Sequence, residues 1–267
     1  MRLVRYCARD AGAGDAHIGV LDGENVVDAG RDLLAPVPNG TVVRSLGSVQ
    51  LLAPVAAPEK IVCVGRNYAE HAAETGSDVP TAPQLFAKWA NAIVGPGDEV
   101  VHPAITSALD YEAELVVVMG RRAQRVAARD ALEFVYGYTC GNDISARDLQ
   151  FGDTQWIRGK ALDTFAPIGP CVVTRDEIPD PQTLSIRCVL NGETMQDANT
   201  SEMIFSVAEI IEFTTAAITL EPGDLIFTGT PPGVGFARTP PVLLRPGDSV
   251  RVEIERIGAL ENSIVAP

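Results

Sequence analysis

The sequence predicts an α+β protein dominated by short strands, with a small β-rich unit ahead of a larger one. Three observations carry that prediction. Short runs rich in Val, Ile and Leu recur along the chain and are closed by Gly, Pro, Asn or Asp. Helix signals are few and short. A hydrophobic fraction of 46% in 267 residues is ample for a core of that size.

Residues 1–58 read as the small unit, with residues 59–267 as the larger one. Leu3–Tyr6, Ile18–Leu21 and Val26–Val27 are strand-like and are separated by turn pairs such as Asp22-Gly23 and Asn39-Gly40. His17 stands alone beside a strand and reads as structural. The Ala- and Pro-rich stretch from Ala53 to Pro58 suits a linker. Ile61–Val64 then reads as a buried strand. Asn67 with Glu70 suggests a capped short helix that Gly76 closes. On that helix His71 and Glu74 share a face, and a carboxylate beside an imidazole fixes its tautomer and raises its basicity. Spacing alone also fits an ordinary surface pair.

Pro80–Lys88 looks loop-like. The tripeptide Pro-Gly-Asp occurs at 96–98, 222–224 and 246–248, each time before a strand-like run, which suggests shared hairpin turns at unequal intervals. Ala127–Tyr136 is amphipathic and reads as a helix stopped by Gly137. Tyr138–Asn142 reads as a strand ending at Asp143, and Ser145–Asp148 as a capping box that starts a helical turn. Leu184–Leu190 alternates and turns at Asn191-Gly192. Ser206 with Glu209 opens a helix from Val207 to about Ala217. Leu225–Thr228 and Ser249–Ile257 are strand-like, and the loop from Gly229 to Gly235 offers backbone N–H groups suited to an anion.

The stretch from Asp110 to Gly120 concentrates the chemistry. As a strand it places Glu112 and Glu114 on one face and leads into the apolar run Leu115–Met119. Two carboxylates side by side at the mouth of a core either share a proton or hold a cation. Oxygen ligands suit a hard divalent ion. A bare Glu-x-Glu is more often simply solvated, so other residues must decide between these readings.

Composition narrows the function. The net charge of −14 argues against nucleic acid and anionic membranes. No apolar run is long enough to span a bilayer. Cys7, Cys63, Cys140, Cys171 and Cys188 are scattered and odd in number, and the N-terminus lacks a signal-like apolar stretch. Reduced thiols and a cytoplasmic location are therefore expected.

Taken in order, Gly65-Arg66-Asn67-Tyr68 with His71 and Glu74, Glu112-Ala113-Glu114, Asn142-Asp143 with Ser145 to Gln150, Lys160, and Gly229-Thr230-Pro231 through Gly233-Val234-Gly235 resemble the fumarylacetoacetate hydrolase family. The resemblance covers residues 59–267. It implies a mixed β-roll or β-sandwich with flanking helices, usually in a homodimer. It also implies Mg²⁺ or Mn²⁺, in some members Ca²⁺, on Glu112, Glu114 and Asp143. His71, Glu74 and Lys160 would be catalytic, the His71 helix acting as a lid. Arg66, Tyr68, Arg147, Gln150 and Thr230 would contact a small anionic 2-oxo acid. Two departures from the family pattern, Trp89 after Lys88 and Ala161-Leu162 after Lys160, are expected to border the substrate pocket.

The expected activity is hydrolysis of a C–C bond in an acylpyruvate or β-diketo acid through a metal-bound enolate. His71 would activate the water and Lys160 would stabilise the enolate. The alternative is decarboxylation or tautomerisation of a 2-oxo diacid, such as an oxaloacetate- or hydroxymuconate-like compound. A non-catalytic Ca²⁺-binding β-protein would explain the carboxylates, but not the Lys160 and His71–Glu74 that accompany them.

Overall fold

A computed structural model describes residues 1–9, 13–40 and 42–267. Strands β1 (Arg2–Ala8), β2 (His17–Asp22), β3 (Asn25–Asp28), β4 (Val43–Ser45) and β5 (Val49–Leu52) form the N-terminal part. The pair β2–β3 turns at Gly23-Glu24, between paired Asp22 and Asn25, and Gly23 takes φ +56°. His17 has a structural place: its Nδ1 lies 2.7 Å from Asp28 Oδ2, which also accepts from the Tyr6 hydroxyl at 2.8 Å. The stretch after Leu52 is irregular, yet Ala53 and Val55 are buried.

Beyond it come β6 (Ile61–Gly65), helix α1 (Ala69–Glu74), β7 (Gln84–Lys88), β8 (Ile93–Val94), β9 (Glu99–Val101), β10 (Leu109–Asp110) and β11 (Ala113–Met119). Helix α2 (Ala128–Ala131), β12 (Val135–Asn142), β13 (Ser145–Ala146), helices α3 (Arg147–Phe151) and α4 (Ile157–Lys160), and β14 (Ala166–Thr174) follow. The chain ends with β15 (Ser185–Leu190), β16 (Glu193–Asn199), α5 (Val207–Thr215), β17 (Leu225–Phe227), β18 (Ser249–Ile254) and β19 (Gly258–Val265).

Most strands join one twelve-stranded mixed sheet, ordered β4-β3-β2-β1-β14-β12-β11-β17-β6-β7, with β5 beside β1 and β8 beside β14. A five-stranded sheet, β16-β15-β18-β19-β9, and the pair β10–β13 complete the α+β architecture. The expected strand-rich roll with flanking helices is thus the observed one, and it does not close into a barrel. The N-terminal strands extend the large sheet through β1, which pairs with β14 at Arg2–Val173 and Leu3–Val172.

The core centres on β11, whose seven residues are all buried between β12 and β17. A glycine lets β14 lie close against β12. A Cβ on Gly137 would lie 2.3 Å from the Val173 carbonyl oxygen, so even alanine must displace backbone. Gly137→Ala is expected to cost about 1–3 kcal/mol. An unchanged urea midpoint would show that the sheet adjusts freely there.

Several sequence expectations need correction. Asn67 does not cap α1, whose N-cap is Tyr68 and has no side-chain bond. The Asn67 amide is instead spent inside the fold, donating to the Phe205 and Thr228 carbonyls at 2.9 and 2.8 Å and accepting from Phe205 N–H. Gly76 does close the helix, in αL (φ +65°), with Ser77 N–H on Ala72 O and Gly76 N–H on Ala73 O. The loop expected at Pro80–Lys88 contains β7, because its backbone finds a ladder on β6 from Gln84–Gly65 to Lys88–Ile61. The helix expected over 127–136 is α-helical only over Ala128–Ala131 and passes through a 3-10 turn at Leu132–Phe134, since Val135 and Tyr136 are drawn into β12 beside β11 and β14.

Ser145 caps nothing, and its hydroxyl donates to the Asp143 carbonyl. The three Pro-Gly-Asp turns are alike. In each, Gly has positive φ, the Asp N–H returns to the carbonyl three residues back, and the Asp carboxylate accepts that residue's N–H. They launch β9, β17 and β18 but close no hairpin, because each following strand pairs elsewhere.

Candidate active site

The register of the β11–β12 ladder assembles the carboxylates. Ala113 faces Asn142 and Glu114 faces Gly141, so Asp143, one residue past β12, comes opposite Glu112, one residue before β11. Asp143 N–H donates to the Glu112 carbonyl at 2.9 Å, and Glu112 N–H to Asn142 Oδ1 at 3.0 Å. One carboxylate oxygen from each of Glu112, Glu114 and Asp143 then lies within 4.8 Å of the others, and all three residues are buried.

Three buried cations converge on this cluster. Lys160 Nζ sits 2.7 Å from Glu112 Oε2 and 2.9 Å from Asp143 Oδ2. It reaches there because α4 packs tightly on α3. A Cβ on Gly159 would meet Gln150 N at 2.6 Å and Ala146 O at 2.7 Å. Arg147 puts Nη2 2.7 Å from Glu112 Oε1 and Nε 2.9 Å from Asp110 Oδ2, and donates from Nη1 to Gln150 at 3.0 Å. Lys88 Nζ lies 2.6 Å from Asp143 Oδ1 and also donates to the carbonyls of Ile144, Phe165 and Lys160.

These neighbours set the charges. Burial raises the Glu112 carboxyl, but Lys160 and Arg147 outweigh it and hold the group well below the usual range. Glu114 is pushed well above that range, first by burial and then by the like charges of Asp143 and Glu112. Burial would lower Lys160, yet Asp143 and Glu112 keep its ammonium raised. Lys88 is lowered, chiefly by burial.

Among the described residues Glu114 has no ion pair, and it accepts a hydrogen bond from Gly229 N–H at 2.7 Å. A buried carboxylate without a counter-ion is costly. Three carboxylates without His or Cys form the donor set of a hard cation rather than of zinc. The residues therefore fit Mg²⁺, Mn²⁺ or Ca²⁺.

Above the cluster lies a cleft of about 80 Å³. His71, Arg66, Arg147, Gln150, Lys160, Thr230 and Glu112 line it, together with aromatic rings from Phe86, Phe151, Trp156 and Phe236. His71 Nδ1 is 2.7 Å from Glu74 Oε1, and Glu74 Oε2 accepts Gly233 N–H at 2.8 Å. The carboxylate thus accepts at both oxygens, which places the imidazole proton on Nδ1 and leaves Nε2 as the basic nitrogen. The Thr230 hydroxyl donates to the Ala113 carbonyl and accepts from Gln196, so its proton is committed to the fold.

Not every expected residue is on the cleft wall. Tyr68 is fully buried and, among the described residues, its hydroxyl has no hydrogen-bond partner; it stands apart from the lining residues. Trp89 is 57% exposed, and neither it nor Ala161-Leu162 borders the cleft, contrary to expectation. Lys88 was missed, although a lone lysine ending the run Gln-Leu-Phe-Ala-Lys was a visible signal. The amides of the 229–235 loop do bind anions, but those identified are the protein's own. Gly229 serves Glu114, Gly233 serves Glu74, and Gly235 and Phe236 serve Asp110.

Comparison with known proteins accords with this geometry. Residues 60–265 match the fumarylacetoacetate (FAA) hydrolase C-terminal family. The mitochondrial oxaloacetate tautomerase FAHD2A of Bos taurus is 49% identical over 219 residues, 81% of this chain and 70% of that protein. The mitochondrial oxaloacetate tautomerase fahd2 of Xenopus laevis is 39% identical over 288 residues, 99% of this chain and 90% of its own. The crystal structure of 2-hydroxyhepta-2,4-diene-1,7-dioate isomerase from Mycobacterium marinum superposes with a TM-score of 0.86 at 40% identity, over 100% of this chain and 98% of that one. Among the described residues no helix is long and apolar enough to cross a membrane. With the family match spanning the whole site and enzymes among its near relatives, the chain belongs to the fumarylacetoacetate hydrolase family and is an enzyme.

Proposed function

We propose that this enzyme interconverts the keto and enol forms of a small 2-oxo diacid, as a tautomerase or isomerase. The observation that carries the reading is the His71–Glu74 pair, with its free imidazole nitrogen on the wall of the cleft that also holds Lys160. Relatives named as tautomerases and isomerases support this alternative over the C–C hydrolysis expected from sequence. A hard divalent cation on Glu112, Glu114 and Asp143 would supply Lewis acidity toward the oxygens of the 2-oxo acid.

The chain's own residues supply the proton transfers. His71 Nε2 takes a proton from the carbon next to the keto group. The bonding pair forms the C=C bond, and negative charge moves onto the former carbonyl oxygen. The buried Lys160 ammonium offers that oxygen hydrogen bonds in a site largely withdrawn from water. The His71 imidazolium then gives its Nε2 proton to that oxygen, which completes the enol and restores the neutral base, and the same steps in reverse return the ketone. Glu74 holds the ring in one tautomer and stabilises the imidazolium that forms between the two transfers. A cleft of about 80 Å³ suits a short acid, since one water needs roughly 10–15 Å³ on the same measure.

The test is to mix enol oxaloacetate with the enzyme and follow loss of enol absorbance, with carbon dioxide release and acetylpyruvate cleavage measured in parallel. Tautomerisation should be much the fastest. Faster decarboxylation or cleavage would replace this reading with one of the other two. The same assay in Mg²⁺, Mn²⁺ and EDTA checks the cation. Activity should fall in EDTA and return with either ion. Thermal unfolding should shift upward with added ion, by a stability equivalent of about 2.7 kcal/mol at a hundred times Kd. A metal-stripped protein that keeps full activity would remove the cation from the mechanism. We also propose a homodimer, on family resemblance, which light scattering checks.

A further inference from the structure

Three permanently cationic side chains line the cleft, and two of them are already neutralised. Lys160 is paired with Glu112 and Asp143, and Arg147 with Glu112 and Asp110. Arg66 is different. Among the described residues it makes no ion pair. Its partners are the neutral Gln84 side chain, 3.2 Å from Nη1, and the indole of Trp156, 5.3 Å beneath its guanidinium. In a protein of net charge −14, an unpaired arginine on a cleft wall is where an anion is collected.

Its placement is also built. Arg66 adopts φ +56°, a conformation non-glycine residues seldom take. Trp156, the platform beneath it, is wedged in place. The indole lies so close to the Gly65 backbone that a Cβ there would be 2.5 Å from ring atom Cζ3. Its ring also meets Phe86 edge-on, with centroids 5.5 Å apart. A guanidinium stacked on a fixed ring keeps its N–H edge free for a planar carboxylate.

We propose that Arg66, positioned by Trp156, binds the carboxylate at the end of the substrate remote from its 2-oxo group. This contact would make the enzyme selective for 2-oxo dicarboxylic over monocarboxylic acids. The inference rests on the reading of the cleft as a 2-oxo diacid site, and it adds the residues that recognise the second carboxylate. Arg66 touches substrate, whereas Trp156 acts through Arg66.

The experiment uses non-reacting ligands, so that binding is read apart from turnover. Malate carries the remote carboxylate and lactate lacks it. Both are titrated calorimetrically into the Mg²⁺-containing protein, wild type and variants. Wild type should prefer malate by about 10- to 100-fold, the worth of one charge-assisted contact. Arg66→Gln should abolish most of that preference. Trp156→Leu should weaken it and raise KM for oxaloacetate more than it lowers kcat, and Trp156→Phe should largely restore it. Wild type binding malate no tighter than lactate would overturn the proposal. So would an Arg66→Gln protein that keeps the preference, or a Trp156→Leu protein whose kcat falls without a change in KM. A preference lost in Arg66→Gln alongside no oxaloacetate tautomerisation would leave this inference standing and remove only the proposed reaction. Tautomerisation with the preference intact in Arg66→Gln would do the reverse.

Discussion

Replacing His71 by alanine should lower kcat by about 10²–10⁴-fold, the usual contribution of a positioned general base. The loss should fall on kcat rather than on cation affinity, because His71 is not one of the three clustered carboxylates. Glu74 should remain held by the Gly233 N–H in the variant, so the loop it anchors has no reason to move. Glu74→Gln should lose part of the same factor, since a neutral amide orients the ring but stabilises the imidazolium poorly. Steady-state rates of enol loss, with Mn²⁺ binding measured on the same samples, check this. Unchanged turnover in His71→Ala would mean that the proton leaves by another group.

Glu114→Gln and Asp143→Asn should move stability in opposite directions, although both lose cation binding and activity. Asp143 is fully buried and stands against two ammonium groups, at 2.6 and 2.9 Å. Removing its charge leaves Lys88 without its carboxylate and Lys160 with Glu112 alone, and breaking a buried pair costs about 3–5 kcal/mol. Glu114 is equally buried but is opposed by like charges and stabilised by one N–H. Neutralising it relieves repulsion, so in EDTA the Glu114→Gln protein should unfold no earlier than wild type. Its upward shift on adding Mn²⁺ should nevertheless disappear. Urea unfolding of both variants, with and without Mn²⁺, decides the matter. A Glu114→Gln protein destabilised like Asp143→Asn would show that Glu114 serves the fold rather than a cation.

Much of this molecule is legible in its sequence. Each Pro-Gly-Asp turn could be read because its geometry is local: the proline sets one φ, the glycine accepts a positive one, and the aspartate bonds within the same four residues. Ser206 and Glu209 likewise form the expected capping box, and Val207–Thr215 is the helix it opens. The errors fall where partners are distant. Gln84–Lys88 has weak strand propensity and becomes a strand only because β6 offers it a ladder. Val135 and Tyr136 looked helical by periodicity, but pairing with β11 and β14 outweighs that preference. Asn67 had a good local use as a cap and is spent instead on segments more than a hundred residues away.

The site divides in the same way. The sequence by itself determined the family, the strand-rich fold class, the types of residue available for chemistry, and the proximity of His71 to Glu74, since three residues along a helix is a local distance. Only the tertiary structure decided that Asp143 faces Glu112, because that depends on the register of two strands. It also decided that Lys88 belongs to the charge cluster, that Tyr68 and Trp89 do not line the cleft, and that Arg66 is, among the described residues, the cleft cation without an ion pair. The reason is physical. Local conformation follows from short-range sterics and hydrogen bonds that a few residues contain, whereas the charge a side chain carries in a site depends on burial and on neighbours that only the folded chain brings within 3 Å.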